Sequence, residues 1–314
     1  MSARRATPAL ALLLAACGPR KPVEGPAPLP TCVLATTAVT GATPAERKLT
    51  APYWFRLLLP SYDHNTGQLR RPARDCTGQV VAWQPSRCGD PEPPEPLEPT
   101  PLARKDLVVA NAGENRRIVW TIAERFANGE AIGPVALTEF VSDGVRASSV
   151  GMLRAFPEQA DLHVQKLGAG EVLVALGSAC KEGSSEDCAR AVRLLPLGRP
   201  RLAAEGIRSP SGQCLGPAWF PLQAHGQVGG AKTRKKYHLQ ASLTYPPDGS
   251  IAVHEELVVE DGTEAAREAG VAPVARIKSD RKIWLEGSSL VANEPSLLGR
   301  WMAQVGETAT AEGR

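Results

Sequence analysis

Between Lys236 and Glu260 apolar and polar residues alternate on both sides of a tight turn, and this pattern constrains the fold more than any other. Tyr237, Leu239, Ala241, Leu243 and Tyr245 interleave with Lys236, His238, Gln240, Ser242 and Thr244. Successive side chains of a strand point to opposite faces, so this segment has one apolar face and one wet face. Beyond Pro247-Asp248-Gly249, which is turn chemistry, Ile251, Val253, Leu257 and Val259 share one face, interrupted by Glu255. Pairing 243 with 253 and 239 with 257 joins the two apolar faces. A slip of one residue would turn one set into water, so the register is well specified. It places His254 opposite Ser242 and His238 opposite Val258.

Strand-like runs recur along the chain. Asp106 to Ala110 and Arg117 to Ala123 flank a turn at Asn111–Asn115, and further runs lie near 134–141, 148–156, 161–167, 171–177, 189–196 and 282–292. Tyr53 to Leu59 (YWFRLLL), stopped by Pro60, reads as a buried strand, and Gln79 to Trp83 as another. Asp63 to Gly67 reads as a turn. With 28 Pro and 29 Gly the chain can supply the many turns this requires. Two short helices are expected. Asp261 and Glu264 suit a capping box for a helix ended by Gly270. Pro295 suits a first helical position, before Leu297, Leu298, Trp301, Met302 and Val305 at helical spacing. The predicted class is mainly β, an antiparallel sandwich, barrel or propeller-like meander with one or two short helices, stapled by disulfides.

The same reading divides the chain. Residues 17–31 form a Pro-rich tether and 32–89 a Cys-containing section. The Pro/Glu stretch 90–101 (DPEPPEPLEPTP) reads as an extended linker. Residues 102–305 form the main β domain, and 306–314 a disordered tail.

Residues 1–16 have the layout of a secretory signal, with Arg4 and Arg5 ahead of the apolar run 9–16. That run is far short of the roughly 20 apolar residues that span a bilayer. It closes on Leu14-Ala15-Ala16-Cys17, which resembles the lipobox of bacterial lipoproteins. The resemblance implies cleavage before Cys17, a diacylglyceryl group on its thiol and acylation of the new amino terminus. It therefore implies a palmitate-type anchor in the bacterial cell envelope. Gly18, which is not acidic, implies sorting to the outer membrane. Several acyl chains anchor stably where one does not. Loss of Arg4 and Arg5 lowers the formal charge from +3 to +1, which argues against a general polyanion binder and against nucleic acid as a partner.

Setting Cys17 aside leaves Cys32, Cys76, Cys88, Cys180, Cys188 and Cys214. An even number in an exported chain predicts three disulfides, of unspecified connectivity. Three cysteines precede the Pro/Glu stretch and three follow it, so full pairing requires a bridge between the two sides. Cys180 and Cys188 flank a polar loop and suit a hairpin staple. No C-x2-C or C-x4-C pair favours zinc.

No motif commits the chain to a chemistry, and neither a catalytic residue nor a cofactor is assigned. Gly226 to Thr233 looks like a phosphate loop only until Ala231, where that motif needs glycine before Lys232; it reads as a flexible loop. Lys232, Arg234, Lys235 and Lys236 are the candidate contact for an anionic envelope surface, against a plain reading as a solvated loop leading into a strand. The five histidines are at least 13 residues apart, and in the hairpin register His238 and His254 stand four positions apart, too far to share a metal. No G-x-S-x-G elbow occurs. The expected role is a non-catalytic interaction or structural one, on a lipid tether at the membrane and with other envelope proteins as partners. The alternatives are an envelope hydrolase acting on glycan or peptide, and a β-barrel holding a small apolar ligand.

Overall fold

The computed structural model describes residues 32–312 apart from 42, 44, 45, 87, 181–187, 198–200, 203–205, 231–233 and 264–274. Cys17, Lys232 and the expected helix at 264–270 lie outside these residues.

The predicted strands pair into two open sheets, neither closed into a barrel among the described residues. The first sheet runs β1 (Val33–Ala35), β6 (Gly144–Ala155), β5 (Ala131–Val141), β3 (Arg116–Thr121) and β2 (Leu107–Asn111), with β4 (Glu124–Arg125) on β5 and β10 (Arg201–Leu202) on β6. The second has ten strands: β12 (Cys214–Pro217), β11 (Gly206–Arg208), β17 (Ser289–Ala292), β16 (Ala275–Glu286), β15 (Ile251–Asp261), β14 (Lys235–Thr244), β13 (Trp219–Val228), β9 (Cys188–Pro196), β8 (Gly170–Cys180) and β7 (Glu158–Leu167). Pairing is antiparallel except for two short parallel contacts, β10 on β6 and β11 on β17. The β14–β15 hairpin has the predicted register, Leu239 opposite Leu257 and Leu243 opposite Val253.

The ten-stranded sheet rolls up on itself. A Cβ on Gly249, in the β14–β15 turn, would lie 2.6 Å from the Gly168 nitrogen in the β7–β8 turn, so only glycine permits this approach of distant strands. The concave side is filled by Leu167, Val174, Leu194, Phe220, Val253 and Ile283, among others. Between the sheets, Trp120, Val135 and Leu153 of the first meet Leu162, Leu173 and Leu195 of the second. Each such side chain contributes about 1.5–3 kcal/mol when taken from water.

Residues 53–59 are not a strand. Ala51–Leu58 is a helix, α1, with Pro52 in its first turn. Pro52 has the fixed φ that a helix start tolerates, and helical spacing buries Trp54, Phe55, Leu57 and Leu58 while leaving Arg56 in water. Alternation would have put Arg56 on the same face as Trp54 and Leu58. The helix packs on Val119, Ala136 and Phe140, on the side of the first sheet away from the second. Gln79–Trp83 is likewise not a strand. It contributes one bridge, Arg74 to Val80, closed over a turn that Asp75 holds by accepting from the Thr77 and Gln79 amides.

At the other end, α2 (Leu297–Glu312) covers Leu239, Leu257 and Val259 with Leu297 and Trp301. Ser296 caps it by accepting from the Gly299 amide, so Pro295 precedes the helix rather than starting it. The helical backbone runs to Glu312, where the sequence suggested a disordered tail from 306. Gly226–Val228 belongs to β13 rather than to a loop, and the run expected at 282–292 is two strands, β16 and β17, turning at Gly287.

Residues 90–101 take an extended course, but they are fastened along it. Pro96 bridges Phe126, the Leu97 amide donates to the Arg125 carbonyl, and Asp90 is buried against Arg193. Three disulfides form: Cys32–Cys76, Cys88–Cys214 and Cys180–Cys188. The second joins the two sides of the Pro/Glu stretch, as the cysteine count requires. It packs so closely on β11 that a Cβ on Gly206 would overlap the Cys88 side chain.

Candidate functional site

The outward face of β13–β16 presents side chains in rows, one from each strand. Gln223, Gln240, Glu256 and Lys278 form one row, and His225, His238, Val258 and Arg276 the next. A third is Ser242, His254 and Asp280. Neighbouring strands lie about 4.8 Å apart, so each row is a run of side chains within mutual reach. Where β13 and β14 separate beyond Gln240, these rows border a polar groove of about 460 Å³, lined in part by Arg190, Gln240, His254, Glu256 and Asp280.

One constellation, with His254 and Asp280 in this groove and Thr244 beside it, has the order of a nucleophile, a base and an orienting acid. Asp280 Oδ1 lies 2.7 Å from His254 Nδ1, and His254 Nε2 lies 3.2 Å from the Thr244 hydroxyl. These are the separations a hydroxyl–imidazole–carboxylate chain needs. The surroundings are not those of a hydrolase centre. The Asp280 side chain is 80% exposed and that of His254 47%. Water therefore solvates the charges that a catalytic site would hold in a dry, low-dielectric environment.

His225 and His238 face each other across β13 and β14 with ring centroids 6.2 Å apart. Their adjacency was hidden because 226–230 (GQVGG) read as a loop, although Trp219 to Leu222 carries the apolar residues of a strand start. Among the described residues no group of three or more His, Cys, Asp or Glu side chains is placed to hold a metal ion. His238 and His254 stand in the register read from the sequence, opposite Val258 and Ser242.

The described members of the basic run do not form one patch. Lys235 and Lys236 are consecutive in β14 and so point to opposite faces. Lys235 pairs with Asp261 at 3.5 Å, and the Arg234 carbonyl accepts from the Gly262 amide.

Behind the face, the interruption at Glu255 has a structural reason. Its carboxylate turns inward, accepts from the Leu297 amide at the start of α2 at 3.1 Å, and pairs with buried Arg281 at 3.3 Å. Arg281 lies over the Phe220 ring at 4.3 Å. Burial pushes the Glu255 carboxyl above its ordinary pKa, and Arg281 and the Leu297 N–H oppose that rise. The pair fixes α2 on the inward face, behind the outward rows.

This architecture defines a mainly β protein of two open sheets with two helices, held by three disulfides. No protein-family model, no curated protein and no solved structure matches the chain. No helix among the described residues is long and apolar enough to cross a membrane.

Proposed function

We propose that the protein is a lipid-anchored module of the bacterial envelope, held at the outer membrane by acyl chains on Cys17, with a non-catalytic interaction role. The observation that supports binding over catalysis is the openness of the Thr244–His254–Asp280 chain, whose charges are solvated rather than enclosed. A rigid sheet with polar side chains at fixed spacing suits recognition of a polar envelope partner, since little order is lost on binding. The basic run Lys232, Arg234, Lys235 and Lys236 is the candidate contact with an anionic envelope surface. One observation favours a second reading, an envelope hydrolase acting on glycan or peptide: the separations in that same chain are catalytically competent.

Two measurements test the proposal. Metabolic labelling with a palmitate analogue should label the wild type and leave Cys17→Ser unlabelled as unprocessed precursor; equal labelling of both would refute the anchor. Glycan, peptide and ester substrates should not be turned over by the purified chain. Turnover that disappears in His254→Ala would replace the binding role with the hydrolase.

A further inference from the structure

On the opposite side of the first sheet from the second lies a cleft of about 590 Å³ whose charged lining residues are all cationic: Arg47, Lys48, Arg104 and Arg117. Trp54, Asn111 and the start of α1 also line it, with Leu49, Leu107 and Val109 as further apolar wall. No carboxylate is among the described residues that line it. The acids nearest in sequence are engaged elsewhere, Glu46 accepting from the Thr43 amide at 3.2 Å and Asp106 pairing with Arg125 at 2.7 Å.

The cleft is built on rigid parts. Arg117, in β3, is buried at 5% exposure and lies 5.4 Å over the Phe140 ring. Backbone carbonyls hold its guanidinium, Nη1 donating to Arg116 at 2.8 Å and to Gly113 at 3.3 Å and Nη2 to Arg47 at 3.5 Å, so Arg117 lends the cleft its charge rather than its donors. Arg104 sits in the 3-10 turn Arg104–Asp106 and donates to the Leu107 carbonyl at 2.7 Å. Arg47 and Lys48 come from the strand-like approach to α1, where the Lys48 amide bonds the Thr40 carbonyl. At the start of the helix, Thr50 occupies the N-cap position without a side-chain cap bond. Pro52 has no N–H and the Tyr53 amide bonds the Thr50 carbonyl, so the start of α1 offers the cleft the positive end of the helix dipole. An anion bound among these cationic residues gains from their positive potential. Burial lowers the pKa of Arg117.

We propose that this cleft is a binding site for a phosphomonoester carried on a small polar body. The guanidinium groups of Arg47 and Arg104 suit the oxygens of a phosphoryl group, and buried Arg117 and the start of α1 add positive potential behind them. The volume suits a ligand of glycerol- or sugar-phosphate size, with Trp54 as an apolar wall for its carbon skeleton. The ligand has two possible sources, a soluble phosphate ester or the headgroup of an anionic lipid. The proposal does not depend on the anchor at Cys17.

The test is calorimetric titration of the purified full chain with sn-glycerol 3-phosphate and with dihexanoyl phosphatidic acid below its micelle concentration. At least one should bind saturably, and binding should weaken as salt rises. Arg47→Ala/Lys48→Ala/Arg104→Ala should weaken it at least tenfold, as should Lys48→Glu alone, a surface change that spares buried Arg117. Binding of the lipid at least tenfold tighter than glycerol phosphate assigns a membrane headgroup as the source; similar or weaker binding assigns a soluble ester. Absence of saturable binding by the wild type to either probe overturns the site, as does equal affinity of wild type and the folded variants.

Discussion

Asp90 and Arg193, separated by 103 positions, meet at 3.1 Å with both side chains sealed from water. Asp90 also accepts from the Ser86 amide, and Arg193 donates from Nε to the Arg154 carbonyl. Arg154 in turn pairs with Glu130, and both guanidinium groups lie against Trp83, at 4.8 and 5.1 Å. One buried network therefore joins the N-terminal section, the first sheet through Arg154 in β6 and the second through Arg193 in β9.

Removing one member strands the others. Asp90→Ala leaves Arg193 charged in a site where burial already pushes its pKa down and the Asp90 carboxylate opposes that fall. The expected loss is about 3–5 kcal/mol, the usual cost of orphaning a buried charge. Glu139→Ala, which breaks the exposed Arg146–Glu139 pair, should cost under about 1 kcal/mol. Urea unfolding of both variants checks the contrast; equal midpoints would show that the network carries no special weight.

Glu255 and Arg281 predict a different outcome for single and double substitution. Glu255→Gln keeps an acceptor for the Leu297 amide but removes the carboxylate paired with Arg281, leaving Glu294 as the acid that still acts on it, for an expected loss of up to about 3–5 kcal/mol. Replacing both with apolar residues of similar size should recover most of it, because neither charge then remains to be solvated. The folded pKa of Glu255 is raised, so the folded state holds this proton more tightly than the unfolded chain. Its contribution to stability declines as pH rises from the ordinary value of 4.5 through the folded one. A double-mutant cycle by chemical denaturation measures the coupling, and strict additivity of the two losses would contradict it.

The disulfides should differ in worth according to the chain they enclose. In the chain-entropy picture, a bridge over 126 positions, Cys88–Cys214, restricts the unfolded state by about 5 kcal/mol, against about 2.5 kcal/mol for the 8 of Cys180–Cys188. Cys88→Ser/Cys214→Ser should therefore lower the unfolding midpoint more than Cys180→Ser/Cys188→Ser. Non-reducing peptide mapping of the wild type should yield the 88–214 pair, and free thiols at those positions would refute the pairing.

What the sequence disclosed follows from how each residue's role is encoded. The β14–β15 hairpin was legible because a two-residue period and a turn signal agree, and its register follows from burial alone. Parity of the cysteines made a bridge across the Pro/Glu stretch necessary without saying which. Helix α1 was not legible, because YWFRLLL is apolar at nearly every position and carries no visible period. The first half of β16 was hidden by Ser279 and Arg281 on its inward face, where alternation calls for apolar residues. Without β16, Asp280 could not be placed beside His254, and the Thr244–His254–Asp280 chain was invisible. Asp90 sits at the head of a stretch whose composition says solvent; its burial depends on Arg193, which no local pattern reveals.

The β14–β15 turn makes a prediction in acid. Asp248 accepts from the Ser250 hydroxyl at 2.6 Å and the Ser250 amide at 3.1 Å, and pairs with Lys282 at 2.9 Å. The Ser250 hydroxyl, followed by Lys282, holds its carboxyl down at about 2 against an ordinary 3.8. A depressed folded pKa means that the unfolded chain takes up the proton first as pH falls. The stabilisation is therefore fully present above the unfolded value of 3.8, shrinks below it, and is lost as pH falls through about 2. Asp248→Asn never has this contribution, so the stability gap between wild type and variant should be constant above about pH 5 and narrow steadily toward pH 2. Ser250→Ala should bring the carboxyl closer to its ordinary value than Lys282→Ala does, since the hydroxyl contributes more than the ammonium. Urea titrations at pH 5, 4, 3 and 2 (values chosen to bracket about two units) decide the matter, and a gap independent of pH would mean that Asp248 titrates alike in the folded and unfolded chains.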